Sequence, residues 1–269
     1  MQELDDQMRY VALLDVLGFK SALGTLGVKK LSYIYKSCLK QIEEEHKAEY
    51  PTKTITSVID LKTGIEKLVA EREGVYQAFR YLEQPVVFSD SILIFSKDVT
   101  QNSLIEISNF SNLVFQSFLD KGLPIRGVIS QGNCVVEETI SLYVGDAIVR
   151  AVELEKTLDV IGVIVDESVD NSINFDHELL DIQLKCGHKE RYRVPRYNPE
   201  SATRGPYVMW AKFDECREAA PSSLKARYAN SEEILSVMVD GKPTGYRDYH
   251  ERLEEGRLLQ EQGLLDEDS

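Results

Sequence analysis

The first two thirds of the chain alternate short apolar runs of strand length with longer segments of helical spacing, and this alternation restricts the fold more than any other feature. Residues 9–14 form an apolar, β-prone run that ends at Asp15, which predicts a buried strand. Residues 19–46 have helical spacing, and Tyr35 lies on their apolar face. Gly24 and Gly27 are predicted to interrupt the first turns of this helix.

The segments that follow continue the alternation. Two apolar runs around a Ser-Asp-Ser centre at residues 85–95 predict a β-hairpin with the polar residues at its tip. Residues 102–121 are amphipathic and are followed by Gly122, which is typical of a helix and the residue after its C-terminus. Three further elements are predicted: a strand over 124–136, a helix over 141–158 that is entered through Gly145, and a buried strand over 160–165.

These elements give the order β-α-(insertion)-β-β-α-β-α-β. This order matches a ferredoxin-like βαββαβ core with an extra αβ unit, so we predict an α/β protein of the α+β kind. We divide the chain into a core of residues 1–167, with an insertion at about 50–80, and a C-terminal extension of residues 168–269. The extension is expected to pack on the core and to end in an acidic tail.

Two parts of the chain have weaker patterns. Within the insertion, we expect a helix over residues 65–72. Beyond residue 166, we expect a strand pair around 191–194 and 208–213, followed by two polar helices.

Charge and composition exclude several functional classes. The formal net charge is −14 and the isoelectric point is near 4.8, whereas proteins that follow phosphate backbones or anionic membranes need basic surfaces. We therefore expect no nucleic-acid partner and no membrane partner. The four cysteines are scattered without a CxxC pair, which favours reduced thiols and a cytoplasmic protein.

Asp15 is the first candidate functional residue. It ends a predicted strand, and Gly18 then opens a turn into a helix. A carboxylate in this position can hold a cation while the turn amides and the helix N-terminus face phosphate oxygens. The alternative is that Asp15 only caps the following helix.

Asp90 is the second candidate, because it lies at the tip of the predicted hairpin between strongly apolar flanks, where an unpartnered charge is costly. In a βαββ arrangement the first strand lies beside the hairpin, so the carboxylates of Asp15 and Asp90 can face each other. Two close carboxylates repel unless they share a proton or a cation, and oxygen ligands suit Mg²⁺ or Mn²⁺.

Five motifs in order resemble those of the class III nucleotidyl cyclases. Residues 15–19 (DVLGF) and 88–91 (FSDS) are similar to the two metal-binding motifs of that family. Residues 124–133 are similar to the next strand, 143–155 to the helix that carries transition-state residues, and 160–167 to the strand after it. The resemblance spans roughly residues 9–167 and is strongest to the pyrimidine cyclases of Pycsar antiphage defence.

The resemblance implies a two-metal mechanism. Two Mg²⁺ or Mn²⁺ ions per site would be bound by the carboxylates of Asp15 and Asp90 and by the backbone carbonyl of Val16. The amides of Leu17, Gly18 and Phe19 would hold phosphate oxygens of a nucleoside triphosphate. The family implies a head-to-tail homodimer in which the second subunit supplies base-binding and transition-state residues. The substrate would be UTP before CTP, and the cyclic mononucleotide would signal to an effector protein.

The chain departs from the family at several positions. Val149 and Glu153 stand where the family has an asparagine and a catalytic arginine, and Val86 and Leu142 stand at polar positions that select purines. Arg150 and Arg126 are then the cations available to neutralise phosphate charge, although either could be a structural ion-pair residue. Tyr143 and Asn133 are candidates for contacts with the base edge.

Three functions therefore stay open from the sequence. The first is a pyrimidine nucleotide cyclase. The second is a cyclase-like nucleotide sensor without turnover, which is favoured by Val149 and Glu153 in place of the family's asparagine and arginine. The third is a ferredoxin-like interaction domain in which both acids are structural.

Overall fold

The computed structural model describes residues 6–49, 53–59, 66–73, 80–169, 179–183, 191–195 and 206–261. The strands are β1 (Asp6–Val16), β2 (Lys53–Ile59), β3 (Glu66–Glu73), β4 (Val86–Phe88), β5 (Ser91–Phe95), β6 (Ile125–Glu137), β7 (Leu142–Gly145), β8 (Gly162–Val165), β9 (Leu179–Gln183) and β10 (Arg191–Pro195). The α-helices are α1 (Phe19–Glu49), α2 (Gln101–Asp120), α3 (Asp146–Thr157), α4 (Pro206–Ala219), α5 (Ser222–Ala229), α6 (Glu232–Asp240) and α7 (Gly245–Glu261).

One eight-stranded sheet organises the chain. Its strand order is β4-β5-β1-β6-β8-β10-β9, and β7 pairs with β6 off this path. Strands β4, β5, β1 and β6 are antiparallel neighbours, whereas β8 runs parallel to β6. Strands β1, β4, β5 and β6 with helices α1 and α2 form the ferredoxin-like core. Helix α3 with β8 forms the additional αβ unit. The predicted fold class is therefore confirmed, and the core elements follow the predicted order with β7 added between β6 and α3.

The central strand β1 is buried on both faces. Tyr10, Ala12 and Leu14 belong to the main core with residues of α1 and α2, and Val11 belongs to a smaller cluster with Phe95 of β5. A strand that is apolar on consecutive residues has this placement because successive side chains point to opposite faces. The apolar run of residues that predicted β1 is thus explained by the burial of both faces of this strand.

Helix α1 is bent at Gly27, whose φ of 74° and ψ of 162° are not helical. The prediction that glycine interrupts the first turns is confirmed at this residue. A straight helix would separate Phe19 from Tyr35 by about 24 Å along its axis. The bend brings the two rings together, with centroids 6.3 Å apart in an edge-to-face arrangement.

Three predicted elements were wrong. The helix expected over 65–72 is strand β3, which pairs antiparallel with β2 in a separate two-stranded sheet. The helix expected from residue 141 begins only at Asp146, because residues 142–145 form β7 and pair with β6. There, a side chain on Gly145 would collide with the Asn133 carbonyl oxygen, since its Cβ would lie 2.2 Å away. Residues 208–213 are part of α4, and the partner of β10 is β9.

Among the helices after residue 205, α4 packs against α2 and α6 packs against β8 and β10. The described chain has four such helices where two were predicted. The Ser231 hydroxyl accepts a hydrogen bond of 2.6 Å from the Ile161 amide. Ile234 and Met238 of α6 lie against Gly162 at the start of β8. Among the described residues, no helix is long and apolar enough to cross a membrane.

Candidate active site

Asp15 lies one residue before the end of β1, in a row of side chains that crosses the sheet. It pairs with Ser91 of β5 and with Arg126 of β6, and Ser91 in turn pairs with Phe88 of β4. Paired residues of an antiparallel sheet project to the same face. Phe88, Ser91, Asp15 and Arg126 therefore share one face, and it is the face that carries α3.

Asp90 is held at the tip of the β4–β5 hairpin, as predicted from the sequence. Ser89, at the first position of the two-residue turn, has a left-handed φ of 58°, which the tight hairpin turns require there. The backbone carbonyl of Asp90 accepts a hydrogen bond of 3.0 Å from the Val16 amide. The hairpin tip is thereby joined to the end of β1, and the two predicted acids are brought into one region.

The charges around Asp15 are predominantly negative. Burial, the Glu155 carboxylate and the Asp90 carboxylate, in that order, raise the pKa of Asp15 to about 6, against a smaller opposing effect of Arg126. The Arg126 guanidinium lies 3.7 Å from the Asp15 carboxylate and in direct contact with Glu155. The Asp15 and Glu155 carboxylates thus share this guanidinium, and an added cation would relieve the repulsion among the carboxylates around Asp15.

The donor set fits a hard divalent cation. Asp15 and Asp90 offer carboxylate oxygens and Val16 offers a backbone carbonyl next to them, which are the ligand types that Mg²⁺ and Mn²⁺ take. Within the described residues, no group of three or more histidine, cysteine, aspartate or glutamate side chains is arranged to hold a metal. A cation here would complete its shell with water or with phosphate oxygens, as Mg²⁺ commonly does.

The turn after β1 offers fewer free amides than predicted. The Leu17 amide donates a hydrogen bond of 2.9 Å to the Pro124 carbonyl, so it is not available for phosphate. Gly18 has a left-handed φ of 74°, and α1 begins at Phe19. The first amides of a helix have no acceptor within the helix. Of the three amides predicted to hold phosphate, those of Gly18 and Phe19 therefore stay candidates for this role.

Arg126 is held by contacts with α3 in this arrangement. It is 9% exposed, it contacts Glu155 of α3, and it donates a hydrogen bond of 2.7 Å to the Leu158 carbonyl. Its guanidinium thus connects β6 to the C-terminal end of α3 and to the residue that follows this helix. Glu155, which sequence reasoning did not single out, is 8% exposed and is a member of the site. Only its helical spacing on the buried face of α3 could have indicated it.

The remaining predicted site residues lie away from Asp15. Tyr143 pairs with Val136 of β6 and stacks on Phe95, with ring centroids 5.4 Å apart. Arg126 and Val136 are about 33 Å apart along β6, since a strand rises ~3.3 Å per residue. Asn133 is exposed on the same strand, about 23 Å from Arg126 by the same rise. Within one subunit, the structure does not bring these residues to the acids.

The residues of α3 that differ from the class III cyclase motifs are exposed to solvent. Val149, Arg150 and Glu153 are all exposed, and Val149 is 55% exposed. Their side chains are therefore accessible to a second molecule. The predicted cation Arg150 is therefore accessible, in contrast to Arg126.

A cavity of about 540 Å³ lies beside the turn after β1. Leu17 and Gly18 line one wall, and Cys216 and Leu224 of the C-terminal helices line another. Asp15 and Asp90 do not line it. The C-terminal helices thus reach the turn that follows the candidate metal ligands.

The comparisons with known proteins concern structure alone. No protein-family model matches the chain, and no curated protein matches it in sequence. The solved structures similar to it include the adenylyl cyclase CyaB from P. aeruginosa, with a TM-score of 0.41 and 15% identity over 71% of this chain and 93% of that one. Adenylate cyclases from Trypanosoma brucei give a TM-score of 0.40 and 9% identity over 72% of this chain and 90% of theirs. The guanylyl cyclase Cya2 gives a TM-score of 0.35 and 13% identity over 70% of this chain and 90% of that one.

Proposed function

We propose that this protein is a metal-dependent nucleotidyl cyclase, which converts a nucleoside triphosphate to a 3′,5′-cyclic mononucleotide and pyrophosphate. The observation that carries this proposal is the placement of Asp15 and Asp90 in one acidic region by the hydrogen bond between the Val16 amide and the Asp90 carbonyl. The five motifs that resemble class III cyclases support the same reading, because these two acids are the matching metal positions.

The residues of this chain have distinct tasks in the proposed reaction. The carboxylates of Asp15 and Asp90 and the carbonyl of Val16 would hold two Mg²⁺ or Mn²⁺ ions. These ions would supply a lower pKa for the ribose 3′-hydroxyl and charge stabilisation for the departing pyrophosphate. The amides of Gly18 and Phe19 orient the phosphate chain at the N-terminus of α1. Attack of the 3′-oxygen on the α-phosphorus is in line, and positioning supplies much of the rate.

The base is proposed to be a pyrimidine, with UTP preferred over CTP. Val86 and Leu142 stand at positions that are polar in purine cyclases, and both are apolar and half-buried. An apolar wall offers no hydrogen bond to a purine edge, so it removes selection for adenine or guanine. On the resemblance to Pycsar cyclases, the product would act as an antiviral signal to a cyclic-nucleotide-responsive effector.

The active unit is proposed to be a head-to-tail homodimer. Phe88 is 78% exposed and lies in the same cross-sheet row as Asp15, which is unusual for a large aromatic side chain. Tyr143 and Asn133 are too far from Asp15 to share its substrate within one subunit. A second copy placed over the α3 face would cover Phe88 and could bring the second copy's Tyr143, Asn133 and Arg150 to the nucleotide.

A nucleotide sensor without turnover is the second candidate. It is favoured by Val149 and Glu153, which are exposed on α3 where the family has its transition-state asparagine and arginine. A ferredoxin-like interaction domain with structural acids is the third, and it predicts no metal-dependent binding of a triphosphate.

The test is incubation of the purified protein with ATP, GTP, CTP and UTP separately, with Mn²⁺, beside the Asp90→Ala variant. Products are resolved by chromatography and mass. A cyclic mononucleotide made only by the wild type establishes the cyclase, and the preferred triphosphate identifies the base. Stabilisation of the folded protein by a triphosphate and Mn²⁺ without product would establish the sensor instead. If the protein gives no product and is not stabilised, the interaction domain is the remaining function.

A further inference from the structure

Asp15 and Arg126 are direct cross-strand partners, but they do not form a close ion pair. The two residues face each other in the register of β1 and β6, and their side chains share the α3 face. The nearest guanidinium nitrogen lies 3.7 Å from the Asp15 carboxylate, whereas a charge-assisted hydrogen bond between such groups is about 2.7–2.9 Å long. The guanidinium therefore lies short of hydrogen-bond contact with the carboxylate opposite it.

Contacts with the C-terminal end of α3 hold the guanidinium in this position. Nη2 of Arg126 is in direct contact with the Glu155 carboxylate, and Nη1 donates a hydrogen bond of 2.7 Å to the Leu158 carbonyl. Arg126 and Glu155 are both buried. Both terminal nitrogens are thus engaged by α3 and by the residue that follows it. Of these two acceptors, Glu155 is the charged one.

Stability does not by itself account for a buried ion pair at this position. Apolar residues of similar volume often replace such a pair without loss of stability, because the cost of taking two charges out of water offsets their attraction. The pair does, however, change the surroundings of Asp15. An arginine that binds a carboxylate through two hydrogen bonds occupies the oxygen atoms that a cation needs. Glu155 prevents this at Asp15 by engaging the guanidinium itself.

We propose that Glu155 is a positioning residue, which holds the Arg126 guanidinium away from Asp15 and so keeps the Asp15 carboxylate open to a divalent cation. This inference rests on the proposed function, because it takes Asp15 as a metal ligand. Residues that orient metal ligands without touching the metal change metal affinity about 10–100-fold when they are replaced. Glu155 acts in this way through Arg126, from the buried face of α3.

The test replaces Glu155 by glutamine in the full chain and measures Mn²⁺ binding by titration calorimetry. Glutamine has a similar size but no charge, so Arg126 should turn to the carboxylate that remains beside it, which is Asp15. We expect the Mn²⁺ affinity of Glu155→Gln to fall about 10–100-fold. Urea denaturation in chelator checks that the variant is folded.

A double variant separates this role from a structural one. Arg126→Met with Glu155→Leu replaces the whole pair by apolar residues, which is a change that buried ion pairs often tolerate. No guanidinium is then left to bind Asp15, so Mn²⁺ affinity should return to the wild-type value or exceed it. A further decrease of Mn²⁺ affinity in the double variant would show that the pair only supports the packing of the site, and would overturn the inference.

The control for the change of charge is Asp159→Asn. Asp159 is exposed two residues after the end of α3, and its carboxylate pairs with Arg227 at 2.8 Å. This variant loses the same charge but leaves the contact between Arg126 and Glu155 in place, so it should keep wild-type Mn²⁺ affinity. Equal Mn²⁺ affinity of wild type and Glu155→Gln, or an equal loss in Asp159→Asn, would overturn the inference and leave the proposed function intact. A wild type that binds no Mn²⁺ would instead overturn the metal site, and the role of Glu155 with it.

Discussion

The backbone amide of Val16 lies 3.0 Å from the backbone carbonyl oxygen of Asp90 and donates a hydrogen bond to it. This bond joins the residue after one candidate metal ligand to the other candidate ligand. Because both partners are backbone groups, the bond does not depend on either carboxylate. Substitution of the side chains at positions 15 and 90 should therefore change the chemistry of the site and preserve its backbone.

Replacement of Asp90 by alanine should abolish product formation and metal-dependent nucleotide binding. The side chain is at a turn, so the free energy of unfolding in chelator should change by less than about 0.5 kcal/mol. Calorimetric titration with Mn²⁺ and product analysis by mass check the expectation. Asp6→Asn, at the exposed far end of β1, is the matched control and should behave as wild type. Retained activity in Asp90→Ala would remove Asp90 from the site.

Replacement of Asp15 by asparagine should stabilise the metal-free protein at pH 8 but not at pH 4. The Asp15 carboxyl has a pKa of about 6 in the folded chain and an ordinary value of 3.8. Between these values the folded state binds more protons than the unfolded state, so stability falls as pH rises through this window and stays low above it. The gain at pH 8 should be roughly 3 kcal/mol.

Urea denaturation at both pH values, in chelator, measures this difference, with Asp6→Asn again as the control. An equal effect of Asp15→Asn at pH 4 and pH 8 would show that burial and the neighbouring carboxylates do not raise the pKa of this carboxyl in the fold.

The two predicted cations should respond differently to substitution. Arg126→Ala leaves Glu155 buried without its guanidinium, and loss of one partner of a buried ion pair costs about 3–5 kcal/mol. Arg150 is exposed, so Arg150→Ala should leave stability within about 0.5 kcal/mol of wild type.

Turnover then separates their roles. If Arg150 neutralises phosphate charge across the dimer, its loss should reduce kcat by about 10²–10³-fold, as for other groups that stabilise developing charge. Steady-state kinetics and denaturation of the same preparations give both quantities. Wild-type turnover in Arg150→Ala would assign the phosphate charge to another residue.

Replacement of Phe88 by serine should weaken the proposed homodimer. The side chain is exposed beside the acids, and a buried aromatic anchor commonly contributes 2 kcal/mol or more to an interface, on the order of a thirtyfold change in Kd. Sedimentation velocity should show a shift to monomer, and turnover per chain should fall at low protein concentration. Val28→Ser is the control, because Val28 is 68% exposed on α1. A wild type that stays monomeric at high concentration would contradict the dimer.

Local patterns were sufficient to predict the elements that build the site. The apolar run before Asp15 and the polar tip between two apolar runs predicted β1 and the β4–β5 hairpin because their spacing is set by burial. Strand β7 was missed because residues 142–145 are few, and only their pairing with β6 makes them extended. Segment 208–213 has apolar residues that suit a strand or a helix, so tertiary context decided it.

The partners within the site could not be predicted from the sequence. The pairing of Asp15 with Arg126 depends on the register between β1 and β6, and no local sequence pattern determines that register. The same holds for Glu155, whose contact with Arg126 depends on how α3 packs on the sheet. Helical spacing placed Tyr35 on a buried face, but its approach to Phe19 requires the bend at Gly27.

The separate two-stranded sheet of β2 and β3 has a consequence for how this chain can vary in length. The sheet lies in the segment between α1 and the hairpin, and it pairs with no strand of the large sheet among the described residues. The entropy of closing a loop rises only with the logarithm of its length, so doubling that segment would cost about 0.6 kcal/mol. Chains with a much shorter or longer segment here should therefore keep Asp15 beside Asp90, and this region can diversify while the two acids stay in place.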